Sequence, residues 1–260
     1  MNASAPLPVL AQRLRAGETL FMSWCGIPDP SIPEDLVREG FDASLLDMQH
    51  GAITVESAIS GIAHVGLAGH PALVRIPVGE FATASRMLDA GAAGIVAPMI
   101  NSVADARQLA AFTKFPPLGE RSWGPRRALA LANVTSDEYF VQANAMHLTI
   151  AMIETREALA ALDDILGVPG IDGVLVGPSD LSITLSGGAG VNAQHPLVEA
   201  ALDHIAARCA ALGKVACAFC MTGARGNALA KRGFRLMSLS TDSALLRIGA
   251  KMELADARKR

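Results

Sequence analysis

Residues 45–51 read LLDMQHG, an apolar run that ends in an aspartate and, three residues later, a histidine. Burying either polar group without a partner costs several kcal/mol. The run therefore reads as a core strand whose last residues point into a site. The pattern recurs along the chain: apolar runs end in Trp24, in Asp47 with His50, in Arg75, in Pro98, in MIETRE with Glu154 and in LVGPSDLS with Asp180. Singly, each has an ordinary structural explanation. Asp47 would satisfy loop N–H groups, His50 would hydrogen-bond in a loop, and Arg75 would pair with a structural carboxylate. Glu154 would sit at the favoured start of a helix and Asp180 would cap a turn. At the same end of successive strands, these residues together indicate one polar mouth.

The chemistry follows from the residue types. Glu154 and Asp180 are hard oxygen ligands suited to Mg²⁺ or Mn²⁺. Two carboxylates leave most of an octahedron for water and substrate, and a 2-oxo acid fills two such positions through its carboxylate and keto oxygen. The metal then acts as a Lewis acid and stabilises an enolate. Arg75 adds positive charge where the oxygen becomes negative. Backbone N–H groups around Gly177, Ser179 and Asp180 suit the substrate carboxylate. His50, oriented by Asp47, moves a proton near neutral pH. A Schiff-base route needs a lysine at the mouth. The five lysines, Lys114, Lys214, Lys231, Lys251 and Lys259, fall in helices, at a strand start or at the terminus. No G-x-S-x-G elbow supports acyl transfer.

Such a mouth requires parallel strands with helices between them. Candidate strands cover residues 20–25, 43–47, 72–76, 94–98, 148–153, 173–176, 214–219 and 235–239. Several are continuously apolar, as strands covered on both faces are. Helical patterns alternate with them, among them VESAISGIAHVGLAG, TREALAALDDILG and TDSALLRIGAKMELADARK. Thr54, Ser102 and Thr241 are expected N-caps, and Gly91, Gly167 and Gly213 are expected stops. Eight strand–helix units in 260 residues predict a single (β/α)8 TIM barrel domain spanning residues 1–260. A doubly wound open sheet is the runner-up, but no G-x-G-x-x-G opens its first crossover. Residues 114–133 and 177–196 are expected as long functional or interfacial loops.

An apolar fraction of 51% and a charged fraction of 18% describe a folded globular chain. A net charge of −3 gives no reason to expect a nucleic-acid partner. No apolar stretch is long enough to cross a membrane, and the first twenty residues lack a secretory pattern, so a cytoplasmic location is expected. The C-x-x-C pair Cys217/Cys220 lies in an apolar run and reads as buried reduced thiols.

FDASLLDMQHG, LVRIP, MLDAGAAGIVAPMI, MIETREAL, GVLVGPSDLS and GFRLMSLSTDSALL together resemble the HpcH/HpaI aldolases, the class II pyruvate aldolases, from about residue 24 to 246. The resemblance implies a barrel of the phosphoenolpyruvate/pyruvate superfamily and a homo-oligomer, specifically a hexamer. It implies reversible cleavage of a 4-hydroxy-2-oxo acid to pyruvate, or hydroxypyruvate, and an aldehyde through a divalent-metal enolate, with Mg²⁺, Mn²⁺ or Co²⁺. By resemblance Glu154 and Asp180 match the metal ligands, Arg75 the keto-oxygen arginine, and His50 with Asp47 the acid–base pair. Gly177 and Ser179 match positions near the pyruvate carboxylate, and Trp24 a pocket aromatic. Asp89 matches an acidic residue contributed near a neighbouring subunit's site. The chain departs from the family by Gln49 beside His50, by Met152 two residues before Glu154, and by Arg121-Ser122-Trp123-Gly124 where R-G is common. Alternatives are a CoA-thioester lyase of the citrate lyase β type, with Arg121, Arg126 and Arg127 as candidates for the acyl-CoA or, equally, for an oligomer interface, an oxaloacetate decarboxylase, or a non-catalytic 2-oxo-acid-binding barrel.

Overall fold

The computed structural model describes residues 10–259. The first nine residues, part of the stretch that lacks a secretory pattern, and Arg260 of the basic terminus lie outside the described residues. Eight strands form a closed parallel barrel in sequence order. They are β1 (Leu20–Cys25), β2 (Ala43–Asp47), β3 (Ala72–Arg75), β4 (Gly94–Ala97), β5 (Leu148–Ile153), β6 (Gly173–Val176), β7 (Val215–Cys220) and β8 (Leu236–Leu239). Helices α1 (Leu10–Arg15), α2 (Ser31–Arg38), α3 (Val55–Leu67), α4 (Phe81–Asp89) and α5 (Val103–Thr113) accompany the first half. Then come α6 (Arg126–Ala132), α7 (Ser136–Met146), α8 (Arg156–Ala160) and α9 (Leu162–Leu166). The last are α10 (Pro178–Leu185), α11 (Pro196–Ala211), α12 (Gly223–Ala230) and α13 (Asp242–Ala257).

Strand β5, LTIAMI, is buried at every position, because a barrel strand has one face in the interior and the other under helices. Alternation sorts its side chains. Leu148, Ile150 and Met152 join Leu20, Met22, Trp24, Leu45 and Leu175 in one cluster, the barrel interior. Ala151 and Ile153 join Leu46, Val74 and Val176 beneath the helices. Leu10, Ala11 and Leu14 of α1 also belong to the interior cluster and close its lower end.

The expected caps hold. Thr54, Ser102 and Thr241 accept the N–H groups of Ser57, Asp105 and Ala244. Several expectations need correction. Residues 177–196 are not all loop, since α10 occupies residues 178–185 with Pro178 in its first turn, where the missing N–H has no helical partner to lose. Residues 114–133 contain α6, and α7 follows directly. TREALAALDDILG is two short helices joined at Ala161. Lys214 lies just before β7, its N–H bonded back to the Cys209 carbonyl. The four cysteines are buried and free, and burial pushes the Cys220 thiol up to about 11. No described helix is long and apolar enough to cross a membrane.

Candidate active site

The upper end of the barrel holds a cavity of about 280 Å³ lined by Trp24, Asp47, His50, Arg75, Met152, Glu154, Gly177, Ser179, Asp180, Phe219 and Thr241, among others. Every residue expected at this chain's own site lines the cavity; Asp89, expected near a neighbouring subunit's site, does not. Period-two alternation along each strand explains the convergence: Trp24, Asp47, Arg75 and Glu154 continue the inward-facing rows of β1, β2, β3 and β5.

Asp47 and Arg75 are register partners on β2 and β3. That pairing lets the guanidinium donate twice to the carboxylate, Nε to Oδ1 at 2.8 Å and Nη2 to Oδ2 at 2.7 Å. Trp24 Nε1 donates to the same Oδ2 at 3.1 Å, and the Arg75 guanidinium carbon lies 4.7 Å from the Trp24 ring centre. Burial is the largest influence and opposes the Asp47 charge, but Arg75, Trp24 and the His50 N–H together outweigh it and hold the carboxyl below its ordinary value. Such a bidentate buried pair is rigid, and removing either partner strands the other charge.

The expected Asp47–His50 contact differs from the one observed. Asp47 Oδ1 accepts the backbone N–H groups of Gln49, at 3.0 Å, and His50, at 3.3 Å. The carboxylate thus shapes the turn that presents His50, while its remaining capacity is taken by Arg75. Gly51 closes that turn, where a Cβ would collide with the Asp47 carbonyl oxygen and the Gly26 backbone. The exposed His50 imidazole is free to face a ligand.

Glu154 is buried and Asp180 exposed. Glu154 Oε2 accepts the Met99 N–H at 2.8 Å, and Met99 adopts φ 55° to present it, a backbone region costly for a non-glycine residue. Burial foremost, then the Asp180 charge, pushes the Glu154 carboxyl above its ordinary value, against the Met99 N–H and Arg75. A Cβ on Gly177 would meet Glu154 Oε1 at 2.6 Å, so the bare glycine leaves room for the carboxylate. Two hard oxygen donors repelling one another beside an open cavity fit a divalent cation that keeps open positions for small ligands. Among the described residues no group of three or more His, Cys, Asp and Glu forms a closed all-protein metal cage.

Asp89 ends α4, which leads into the start of β4, at the opposite end of the barrel. There it pairs with Arg121 at 2.6 Å. It takes no part in its own chain's cavity, because a helix returning antiparallel to its strand carries its last residue away from the mouth. Arg121, Arg126 and Arg127 do not line the cavity either, so the arginines expected for an acyl-CoA are not at the mouth. Sequence reasoning missed Met99, Met152, Phe219 and Thr241 as site residues. The sequence signal for Phe219 and Thr241 was their position at the ends of β7 and β8.

The family model for HpcH/HpaI aldolase/citrate lyase matches residues 20–248. The chain belongs to this family. It is therefore an enzyme of a lyase family. It is 37% identical to a hydroxypyruvate/pyruvate aldolase from Rhizorhabdus wittichii, over 93% of this chain and 95% of that protein. It is 32% identical to a 4-hydroxy-2-oxo-heptane-1,7-dioate aldolase from Salmonella dublin, over 91% of this chain and 89% of the relative. The crystal structure of an HpcH/HpaI aldolase from Desulfitobacterium hafniense DCB-2 superposes with a TM-score of 0.88 at 28% identity, covering 96% of this chain and 97% of that one. The citrate lyase β subunit from M. tuberculosis, complexed with oxaloacetate and magnesium, shares the fold at 18% identity and TM-score 0.57, covering 89% and 95% of the chains.

Proposed function

We propose that this chain is a divalent-metal-dependent class II aldolase, which cleaves a 4-hydroxy-2-oxo acid reversibly to pyruvate or hydroxypyruvate and an aldehyde. The observation that carries the reading is the meeting of Glu154, Asp180 and Arg75 in one cavity, with His50 exposed at its rim. Glu154 and Asp180 would hold the metal, Mg²⁺, Mn²⁺ or Co²⁺, which when bound supplies a Lewis acid for the 2-oxo group. Arg75, locked by Asp47, keeps Nη1 for the keto oxygen as that oxygen takes on charge. Backbone N–H groups at the start of α10, near Gly177 and Ser179, receive the substrate carboxylate, favoured by the helix N-terminus. His50 exchanges the proton with substrate, directly or through water. Trp24 forms an apolar wall.

We also read the chain as one barrel domain acting in the cytoplasm, where buried free thiols stay reduced, and as a homo-oligomer, a hexamer by resemblance. Leu246, Ile248, Met252 and Leu254 on α13 are all more than half exposed, which favours association. Asp89 approaches a cavity only from another copy.

The test is deuterium exchange into the pyruvate methyl group in D₂O, followed by proton NMR with Mg²⁺ or Mn²⁺ and with EDTA. Exchange that requires metal and disappears in Glu154→Gln is expected. Exchange that persists in EDTA, or in a folded Glu154→Gln protein, overturns the metal reading.

A further inference from the structure

Asp242, the first residue of α13, is buried at 3% exposure, and the proposed chemistry makes no use of it. Among the described residues its hydrogen bonds all come from backbone N–H groups. Oδ2 accepts those of Gly26 and Ile27, each at 2.8 Å, across sequence separations of 216 and 215 residues. Oδ1 accepts that of Ser243 at 2.6 Å. A buried carboxylate is costly unless its lone pairs are filled, and here the loop after β1 fills them. Two residues earlier, as the chain leaves β8, Ser240 takes φ 64°, strain of the kind that collects at functional sites.

The loop held by Asp242 bears on the turn that presents His50. The Gly26 carbonyl accepts the Ala52 N–H at 2.8 Å. The two backbones touch with no side chain between them: a Cβ on Gly51 would lie 2.7 Å from the Gly26 Cα, and one on Gly26 would lie 3.2 Å from the Gly51 Cα. Close-packed backbone transmits a displacement rather than absorbing it. The His50 turn is therefore clamped twice. Asp47 holds the N–H groups of Gln49 and His50, and the Gly26 loop holds Gly51 and Ala52. The second clamp depends on Asp242.

We infer that Asp242 is a positioning residue for His50, acting through Gly26 and Ile27 on the turn at Gly51. The inference rests on the aldolase reading, in which His50 exchanges the proton with substrate, and extends it to the last helix of the barrel. Without the carboxylate, the Gly26 and Ile27 N–H groups lose their acceptor and the loop must shift to find others, taking Gly51 with it. Glu154 and Asp180 follow β5 and β6, across the closed barrel from β1 and β2, so the metal ligands stay in place. Two variants grade the effect. In Asp242→Asn the carboxamide oxygen still accepts from Gly26 and Ile27, but its NH₂ faces the Ser243 N–H. Asp242→Ala offers nothing to any of the three donors.

The experiment measures pyruvate deuterium exchange with Mn²⁺ for the full chain and both variants, with Mn²⁺ affinity by calorimetry and the imidazole NMR signals of isotope-labelled histidine. Asp242→Ala should lower kcat for exchange by about tenfold to a hundredfold, and Asp242→Asn by less, with pyruvate KM and Mn²⁺ affinity near their unaltered values. The His50 signal, assigned by its absence in His50→Gln, should move in both variants while those of His147 and His204 stay. If Asp242→Ala does not fold, Asp242→Asn carries the test. Full exchange in folded Asp242→Ala overturns the inference, as does full exchange with an unmoved His50 signal in Asp242→Asn where only that variant folds. A loss of exchange that follows metal affinity while the His50 signal stays also overturns it. Each of these leaves the aldolase reading standing. No exchange by the unaltered protein under any metal overturns both.

Discussion

Gly177→Ala isolates how closely the metal-facing carboxylate is fitted. Gly177 has φ −91° and ψ 91°, negative-φ angles that give glycine no special advantage over alanine, so backbone strain is not the issue. The added methyl would lie 2.6 Å from Glu154 Oε1 and 2.9 Å from its Cγ, against an ordinary contact of 3.4 Å or more. The carboxylate must retreat by about 0.8 Å, the shortfall between those contacts. It is anchored on its other side by the Met99 N–H at 2.8 Å, so the retreat stretches or breaks that bond. A misplacement of this size in a catalytic group costs about a hundredfold in rate, while the flexible end of a glutamate yields without unfolding the barrel. Gly177→Ala should therefore keep nearly the unaltered melting temperature, bind Mn²⁺ more weakly in a calorimetric titration, and lose about a hundredfold in pyruvate deuterium exchange. A Gly177→Ala protein with metal affinity and exchange within threefold of the original would show that the close approach has no functional weight. Wholesale unfolding would show that the glycine serves packing instead.

Two further outcomes concern stability. Met99→Gly keeps the N–H that holds Glu154 and relieves a φ of 55°. Urea unfolding should show a gain of up to about 1 kcal/mol with exchange preserved, whereas a loss of stability would mean the Met99 side chain matters more than its backbone. His147 is buried with Nε2 at 2.7 Å from the Tyr139 hydroxyl. Burial first, then Arg121 and Lys114, push its pKa down to about 3 from the ordinary 6.5. Between those values the unfolded chain binds the proton that the folded chain refuses, so this stability is present above pH 6.5 and drains away as pH falls toward 3. Going from pH 7 to pH 5 should cost about 2 kcal/mol. The slope should flatten in His147→Gln, and an equal slope in the two proteins would assign the acid sensitivity elsewhere.

Much of this molecule is written locally. Continuous apolar runs such as LTIAMI mark strands covered on both faces, and Thr54, Ser102 and Thr241 announce their helices because a cap acts within one turn. Once strands are assigned, alternation fixes which residues face inward, so Asp47, Arg75, Glu154 and Asp180 could be assembled at one mouth from the sequence. The helix after Gly177 was missed although Pro178 signalled it, because the following GGAG stretch drew the whole segment toward loop.

Choice of partner is a different matter. Proximity in sequence favoured His50 as the partner of Asp47, yet the register of β2 against β3 gives the carboxylate to Arg75 and leaves His50 only a backbone contact. The Met99 N–H reaches Glu154 across a sequence separation of 55 residues, by a backbone angle no composition reveals. Phe219 read as one more apolar strand residue until closure of the barrel brought β7 close to β1 and set its ring against Trp24. Asp89, matched by resemblance to a residue near a neighbouring subunit's site, lies at the far end of its own barrel because a returning helix reverses direction. Strand alternation and helix capping are properties of neighbouring residues, so the sequence carries them openly. Register, closure and the facing of one strand's side chain by another's arise only when distant segments pack, and there the tertiary structure alone determines which charges meet and which stay free for substrate.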